Sequence, residues 1–359
     1  MGFNFGGCIH EIPGISVDCF DNNKFHECST FFLTHCHSDH MKNLFMGFKS
    51  FVRTSNSLLK LYCTVESETI LRNMALFALG DDGTAVLDQI VTKMVFDREY
   101  ELDIDGIQVK ATAIRAKHCA GSCMFLFKTE CSTVLFTGDF RYYRNQLRFI
   151  SALHDEDNNK IQLDNIYLDT TFLRESTKSF PTKRQVLLRI IEEIEDFREG
   201  NPKSNVHIKR PANLGSELII KVLATEFRCK IHVEEYVYDL YEGINHVHRH
   251  LTTDPYETFI HMCKLGTPGT EKRACQQSHA LKIHPTALWF AFQNSPKWVQ
   301  SDDKGRVKIA HSMHASGKEL KGFINYFRPG KAVALACSDN SSIEDVQEEL
   351  DKLVLRSSR

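Results

Sequence analysis

The chain has 359 residues, 42% hydrophobic and 25% charged, with a formal net charge of −2 at pH 7. That composition excludes a low-complexity or disordered chain, and the near-neutral balance excludes a basic surface spread over the whole molecule. No apolar run is long enough to cross a bilayer, the start lacks a charged and apolar leader, and the Gly2 context lacks the Ser or Thr of a myristoylation signal. The twelve cysteines are therefore expected to be reduced thiols or metal ligands rather than a disulfide framework.

Length predicts two domains. In chain order, the first strong element is the β-type run Ser29-Thr30-Phe31-Phe32-Leu33, followed at once by Thr34-His35-Cys36-His37-Ser38-Asp39-His40. Three imidazoles and a carboxylate thus leave one strand end, and alternation sends His35 and His37 to the same side. Imidazole and carboxylate arms of about 2.0–2.2 Å suit Zn²⁺. Lys60–Cys63 reads as a strand, and Ser67–Leu79 as a helix with Ser67 as its N-cap. Glu101–Ile114 reads as a hairpin turning on Asp105-Gly106, and Met124–Phe127 with Thr133–Phe136 as a further strand pair. His118 precedes the Gly121 turn, Asp139 sits in Thr137-Gly138-Asp139-Phe140, and Ile166-Tyr167-Leu168 reads as a buried strand ending on Asp169.

From about residue 172 helix and strand alternate. Helices are predicted over 182–198 and 216–227, strands over 205–209 and 230–233, and loops near 264–280 and 291–305, the pattern of a small parallel α/β unit. The tail predicts a helix over 317–327, a strand over 332–337 and a helix over 343–355, with no disordered tail expected beyond it. Basic clusters at Lys42, Lys49 and Arg53, at Arg141, Arg144 and Arg148, and at Lys203, Lys209 and Arg210 are the candidate phosphate contacts. Lys42, Lys209 and Arg210 are the residues assigned to DNA. Phe45 and Phe48 could support bases, though core packing explains them better.

His35, His37, Asp39, His40, His118 and Asp139 together resemble the ligand motifs of the metallo-β-lactamase fold. The resemblance implies an α/β fold, an αββα sandwich with the metals at one edge. It implies one ion on His35, His37 and His118, a second on Asp39 and His40, and Asp139 between them. Asp18 matches a strand-end acid that orients the ligands. Asp169 in Leu168-Asp169-Thr170-Thr171-Phe172 and His314 in His311-Ser312-Met313-His314 resemble motifs of the β-CASP branch. That likeness implies a first part of the sandwich over 1–171, an inserted α/β cap over 172–305, and a returning part over 306–359. Asp39, Asp18, Asp169 and His314 are the implied catalytic set.

Within that branch the chain is similar to the DNA cross-link repair nucleases. The likeness implies a metal-dependent, structure-selective DNA endonuclease that opens hairpins and trims overhangs, with 5′-to-3′ exonuclease activity, in double-strand break joining and V(D)J-type recombination. It implies one or two catalytic Zn²⁺, with Mg²⁺ or Mn²⁺ open at the second position because the same ligands hold all three. DNA ends, the DNA-dependent protein kinase as a partner, a monomer, no membrane association and a nuclear location follow from the same likeness. Two residues depart from the pattern: Ala120 stands where the family usually has Pro, and the loop Pro211-Ala212-Asn213-Leu214-Gly215 is unlike the usual one. On spacing alone, His232, His261, Cys263 and Cys275 read more readily as core histidines and free thiols. The resemblance instead implies a structural Zn²⁺ in the cap. An RNA-processing β-CASP endonuclease is the alternative, followed by a small-molecule hydrolase, which the long insertion disfavours, and by a non-enzymatic scaffold.

Overall fold

The structure is a computed structural model that describes residues 2–3, 5–54, 59–173, 179–264, 275, 279–291, 297–302, 306–337 and 342–357, with only the backbone for 2–3 and 51–54. The chain divides into two compact units, one of residues 1–179 with 313–359 and one of residues 180–312. Among the described residues no helix is long and apolar enough to cross a membrane. None of the twelve cysteines is in a disulfide.

In the first unit, the strands Ile15–Val17, Thr30–Phe32, Lys60–Thr64 and Val91–Met94 form a parallel four-stranded sheet in that order. A six-stranded sheet runs in the order Lys331–Ala334, Asn165–Leu168, Thr133–Phe136, Cys123–Lys128, Ile107–Arg115 and Glu99–Ile104. Its first three strands are parallel and the rest antiparallel. The two-residue period of a strand explains how the sheets stack. Phe32 points inward, its ring 5.0 Å from Phe125 and 4.8 Å from Phe127 of the other sheet. Phe31 points outward, 5.0 Å from Phe25 and 5.4 Å from Phe48 of the helix Leu44–Thr54. The far face of the six-stranded sheet is covered by the helices Gly317–Phe327 and Ile343–Ser357 through Leu320, Phe323, Ile324, Val346 and Leu350. The result is helix, sheet, sheet, helix. Each fully buried phenylalanine contributes about 1.5–3 kcal/mol by leaving water. Phe48 is thus a core residue rather than a support for bases.

The hairpin turns where expected: Asp105 (φ 51°) and Gly106 (φ 88°) both adopt the left-handed backbone of a type I′ turn. The helix predicted to be capped by Ser67 runs Val65–Leu79 instead. Thr64 at the strand end caps it, its hydroxyl accepting from Ser67 N at 3.2 Å. Ser67 is used elsewhere, donating to the Gly121 carbonyl at 3.0 Å.

The second unit is a seven-stranded sheet in the order Leu251–Thr252, Ile231–His232, Ile260–His261, Val206–Ile208, Leu281–Thr286, Arg306–Ala310 and Val299–Ser301, parallel except for the last pair. The helices Lys183–Gly200 and Glu217–Glu226 follow the predicted alternation. The first starts in a capping box of Thr182 and Gln185. Two sequence expectations are corrected. Val299–Ser301 lies inside the stretch read as loop, because its polar edge strand is held by pairing with Arg306–Ala310 rather than by apolar content. Most of the other predicted loop, 264–280, lies outside the described residues. The unit also begins at 180 and ends at 312, not at 172 and 305. Asp169 N bonds Thr137 Oγ1 and Thr170 Oγ1 bonds the Ala336 carbonyl, which keeps 169–172 in the first unit. Arg306–Ala310 is committed to the second by its pairing with Leu281–Thr286.

Candidate metal centre

The loops that leave the strand ends at one edge of the sandwich bring eight predicted side chains together. His35, His37, His118 and Asp139 form one group whose ligand atoms all lie within 4.8 Å of each other. Asp18, His35 and His40 form a second group, and Asp139, Asp169 and His314 a third. His37 Nδ1 is 3.0 Å from His35 Nε2 and 3.1 Å from His118 Nε2. Asp139 Oδ2 is 3.5 Å from each of those Nε2 atoms, 3.4 Å from His40 Nε2 and 3.8 Å from His314 Nε2. A tetrahedral ion with arms of about 2.0–2.1 Å sets its ligand atoms about 3.3–3.4 Å apart, so the donor set fits a Zn²⁺-sized ion. Asp39 is the predicted ligand outside these groups. Its side chain is 48% exposed and its Oδ2 is 4.0 Å from His40 Nε2.

Four of the imidazoles have their second nitrogen held, which fixes which nitrogen faces the centre. Asp18 Oδ2 lies 2.9 Å from His40 Nδ1. The same carboxylate accepts from Thr34 N at 2.7 Å and Thr34 Oγ1 at 2.5 Å, and Thr34 Oγ1 lies 3.0 Å from His35 Nδ1. The Met313 carbonyl is 3.2 Å from His118 Nδ1. Asp169 Oδ2 is 2.9 Å from His314 Nδ1, while its Oδ1 accepts from Thr171 N and Oγ1. Gly138 (φ 48°) lets the Asp139 loop pass over Thr34, since a Cβ there would lie 2.7 Å from Thr34 Cβ.

The electrostatics separate two kinds of imidazole. Burial, with His40 and His37 adding to it, holds His35 well below the usual histidine range. Burial does the same to His118. Both therefore offer lone pairs at neutral pH. Burial also opposes the charged forms of His40 and His314, but carboxylates outweigh it. Asp139 and Asp18 hold His40 well above its usual range, and Asp139 with Asp169 pushes His314 up to about 9. Burial alone would raise Asp139, yet His314 and His40 bring it well below the carboxylate range. A carboxylate that draws charge toward itself in this way is suited to bind cations.

In the second unit, His232, His261, Cys263 and Cys275 are all buried, with ligand atoms within 4.8 Å of one another. The two Nδ1 atoms are 3.0 Å apart and Cys275 Sγ is 3.7 Å from His232 Nδ1. Two imidazoles facing each other across two thiols is a donor set for a closed tetrahedral ion.

The basic candidates divide. Lys42 and Lys209 are exposed. Arg210 is only 5% exposed in its side chain and is committed to Glu234 and to the Met262 carbonyl at 2.6 Å, so its guanidinium is not a surface cation. Arg141 is a second correction, buried and paired with Glu319 because its strand-end loop packs beneath the helix Gly317–Phe327. The Arg53 side chain lies outside the described residues. A cavity of about 510 Å³ in the second unit is lined by Lys209, Lys264, Lys282, His284 and Arg306 among others. Sequence reasoning named Lys209, and Arg210 that also lines the cavity, but missed the others above, which come from three separate segments. It also gave no role to Thr34, whose only sequence signal is its place before His35.

A sandwich of this layering, with imidazoles and acids gathered at its strand-end edge, is the arrangement that the metallo-β-lactamase resemblance implies. A family described as DNA repair metallo-beta-lactamase matches residues 245–339. The chain is Artemis-like over nearly its whole length: it is 28% identical to protein Artemis of Gallus gallus, over 97% of this chain and 50% of that protein. It is also 26% identical to the 5′ exonuclease Apollo of Mus musculus, over 92% of this chain and 54% of that protein. The chain spans about half the length of the curated relatives it matches. A solved structure, of a protein of unknown function from Enterococcus faecalis V583, shares the fold with a TM-score of 0.54 at 12% identity, covering 88% of this chain and 79% of that one.

Proposed function

We propose that this chain is a metal-dependent, structure-selective DNA endonuclease. It opens hairpins and trims overhangs in double-strand break joining and V(D)J-type recombination, has 5′-to-3′ exonuclease activity as a second mode, and leaves 5′-phosphates. The observation that carries the metal chemistry is the shared oxygen: Asp139 Oδ2 lies 3.4–3.8 Å from the Nε2 atoms of His35, His118, His40 and His314. Support for DNA as substrate comes from the similarity to Artemis and Apollo and from the DNA repair metallo-beta-lactamase match.

His35, His37, His118 and Asp139 would hold one ion, of zinc by donor type. Asp139, His40, His314 and Asp39 would hold the second, zinc, magnesium or manganese. Ions held there supply a water activated at neutral pH and neutralise charge that builds on a phosphoryl group. The protein's own part is to hold that arrangement. Asp18 sets the His40 ring and, through Thr34, the His35 ring. Asp169 sets His314. Lys42 and Lys209 are assigned to backbone phosphates, where each would contribute a salt-dependent contact. Residues 180–312 are the β-CASP cap, and their His2Cys2 cluster holds a structural zinc. The protein acts as a monomer in the nucleus, with the DNA-dependent protein kinase as its partner.

A labelled 5′-overhang DNA and its RNA counterpart separate this reading from an RNA-processing one. Trimming of the DNA in Mg²⁺ or Mn²⁺, abolished by a chelator and at least about tenfold faster than on RNA, is the expected result. A preference for RNA would move the chain to the RNA-processing branch.

A further inference from the structure

His314 reaches Asp139 from a segment 175 positions further along the chain, so no local geometry sets the contact between them. What joins the two loops is a small set of bonds. Ala315 N donates to the Phe140 carbonyl at 2.9 Å, one residue beyond each of the two side chains. One residue further on each side, Arg141 and Ser316 meet on the same carboxylate. Arg141 Nε and Nη2 donate to Glu319 Oε2 and Oε1 at 3.3 and 3.2 Å. Ser316 N and Oγ donate to Glu319 Oε2 at 2.7 and 2.9 Å. Phe140 packs edge-on against Phe323 at 5.1 Å and seats the same helix. The Glu319 carboxylate is therefore a hub between the loop of Asp139 and the loop of His314.

Stability alone does not account for this pair. The Arg141 side chain is fully buried and Glu319 is 14% exposed, and burying an ion pair often gains nothing over an apolar pair of the same volume. A forked guanidinium on a carboxylate fixes direction as well as distance. Arg141 lies two residues from Asp139, and Ser316 two residues from His314. The pair thus fixes the relation between those two side chains, on which the second half of the metal centre depends.

We infer that Arg141 and Glu319 form a positioning pair that holds His314 against Asp139 and so sets the affinity for the second metal ion, an inference that rests on the two-ion reading above. Wild type, Glu319→Gln and Arg141→Lys, each stripped of metal at the sandwich centre with zinc left on the His2Cys2 cluster, would be titrated with Mn²⁺ and followed by the signal of free Mn²⁺, with melting curves recorded in parallel. Glutamine keeps the capping bond to Ser316 but loses the charge, and lysine keeps the charge but loses the fork. The expected result is two binding steps in wild type, with the weaker step lowered at least tenfold in both variants while the tighter step stays within about threefold. The apolar pair Arg141→Met with Glu319→Leu, which removes both charges together, is expected to show the same selective loss. Two unchanged steps in folded variants would overturn the positioning role. A single step in wild type would instead overturn the two-ion reading itself.

Discussion

Replacing Asp139 with asparagine is expected to lower metal-dependent phosphodiester cleavage by about a thousandfold or more. A carboxylate shared between two cations contributes several kcal/mol to charge stabilisation, and about 4 kcal/mol corresponds to about three decades of rate. Its Oδ2 lies within 3.8 Å of all four Nε2 donors named above, so its loss reaches both halves of the centre. Metal content is expected to fall with activity, which plasma mass spectrometry would register. An independent reading comes from the metal-free protein. There burial works against the charged form of His314, but Asp139 and Asp169 push it up to about 9, so its imidazole is charged at pH 7. Removing the Asp139 charge leaves burial less opposed, and the His314 titration seen by NMR is expected to move to lower pH. An Asp139→Asn protein with wild-type rate and metal content would contradict the role given to this oxygen.

The second large effect is expected in the His2Cys2 cluster. Cys263→Ser or His232→Ala is expected to remove one metal ion per chain and to destabilise the second unit by roughly 3–5 kcal/mol, a fraction of what closed zinc sites provide to small domains. For a unit of about this length, residues 180–312, that corresponds to a fall in its Tm of roughly 10 °C or more. The dependence on pH has a definite sign. Burial, with the nearby His232 adding to it, holds His261 down to about 4, so its ring is neutral and ready to ligate well below neutrality. Burial and the neighbouring Cys275 push the Cys263 thiol up, so an ion must displace a thiol proton to bind. Zinc affinity is therefore expected to rise with pH, and zinc-linked stability to decline as pH falls from 8 to 6. Equal melting temperatures in wild type and Cys263→Ser, with no zinc bound to either, would return the four residues to a core of histidines and free thiols.

The parts of this centre that were legible in the sequence are those whose chemistry is local. His35, His37 and His40 share one strand end, and Asp139 and His118 each sit on a turn that closes an apolar strand, so spacing and residue type identified them together. Asp169 could be placed by the same strand-end logic, whereas Asp18 was placed by the family resemblance alone. Arg141 could not, because its partner lies 178 positions away and nothing near it distinguishes a buried pair from a solvated surface cluster. Arg210 was misjudged for the same reason, its partner Glu234 being on a different strand connection. In the second unit the alternation of helix and strand was readable from apolar periodicity as far as residue 233. Beyond that, the two-residue strands Leu251–Thr252 and Ile260–His261 carry too little pattern, and Val299–Ser301 is polar because it lies at a sheet edge. Such strands exist by virtue of their neighbours, which a linear reading does not see.

The most direct test is cleavage of a closed, labelled DNA hairpin by wild type and by Asp39→Ala, with Mg²⁺ or Mn²⁺ present and then with the metal chelated. Asp39 is half exposed beside His40, so its replacement leaves the core packing untouched and reports on the centre. The account predicts metal-dependent opening of the hairpin to a 5′-phosphate end by the wild type, and a loss of at least about a hundredfold in Asp39→Ala. Hairpin opening that survives both chelation and Asp39→Ala, or an intact hairpin in the presence of the wild type with its metals bound, would contradict it.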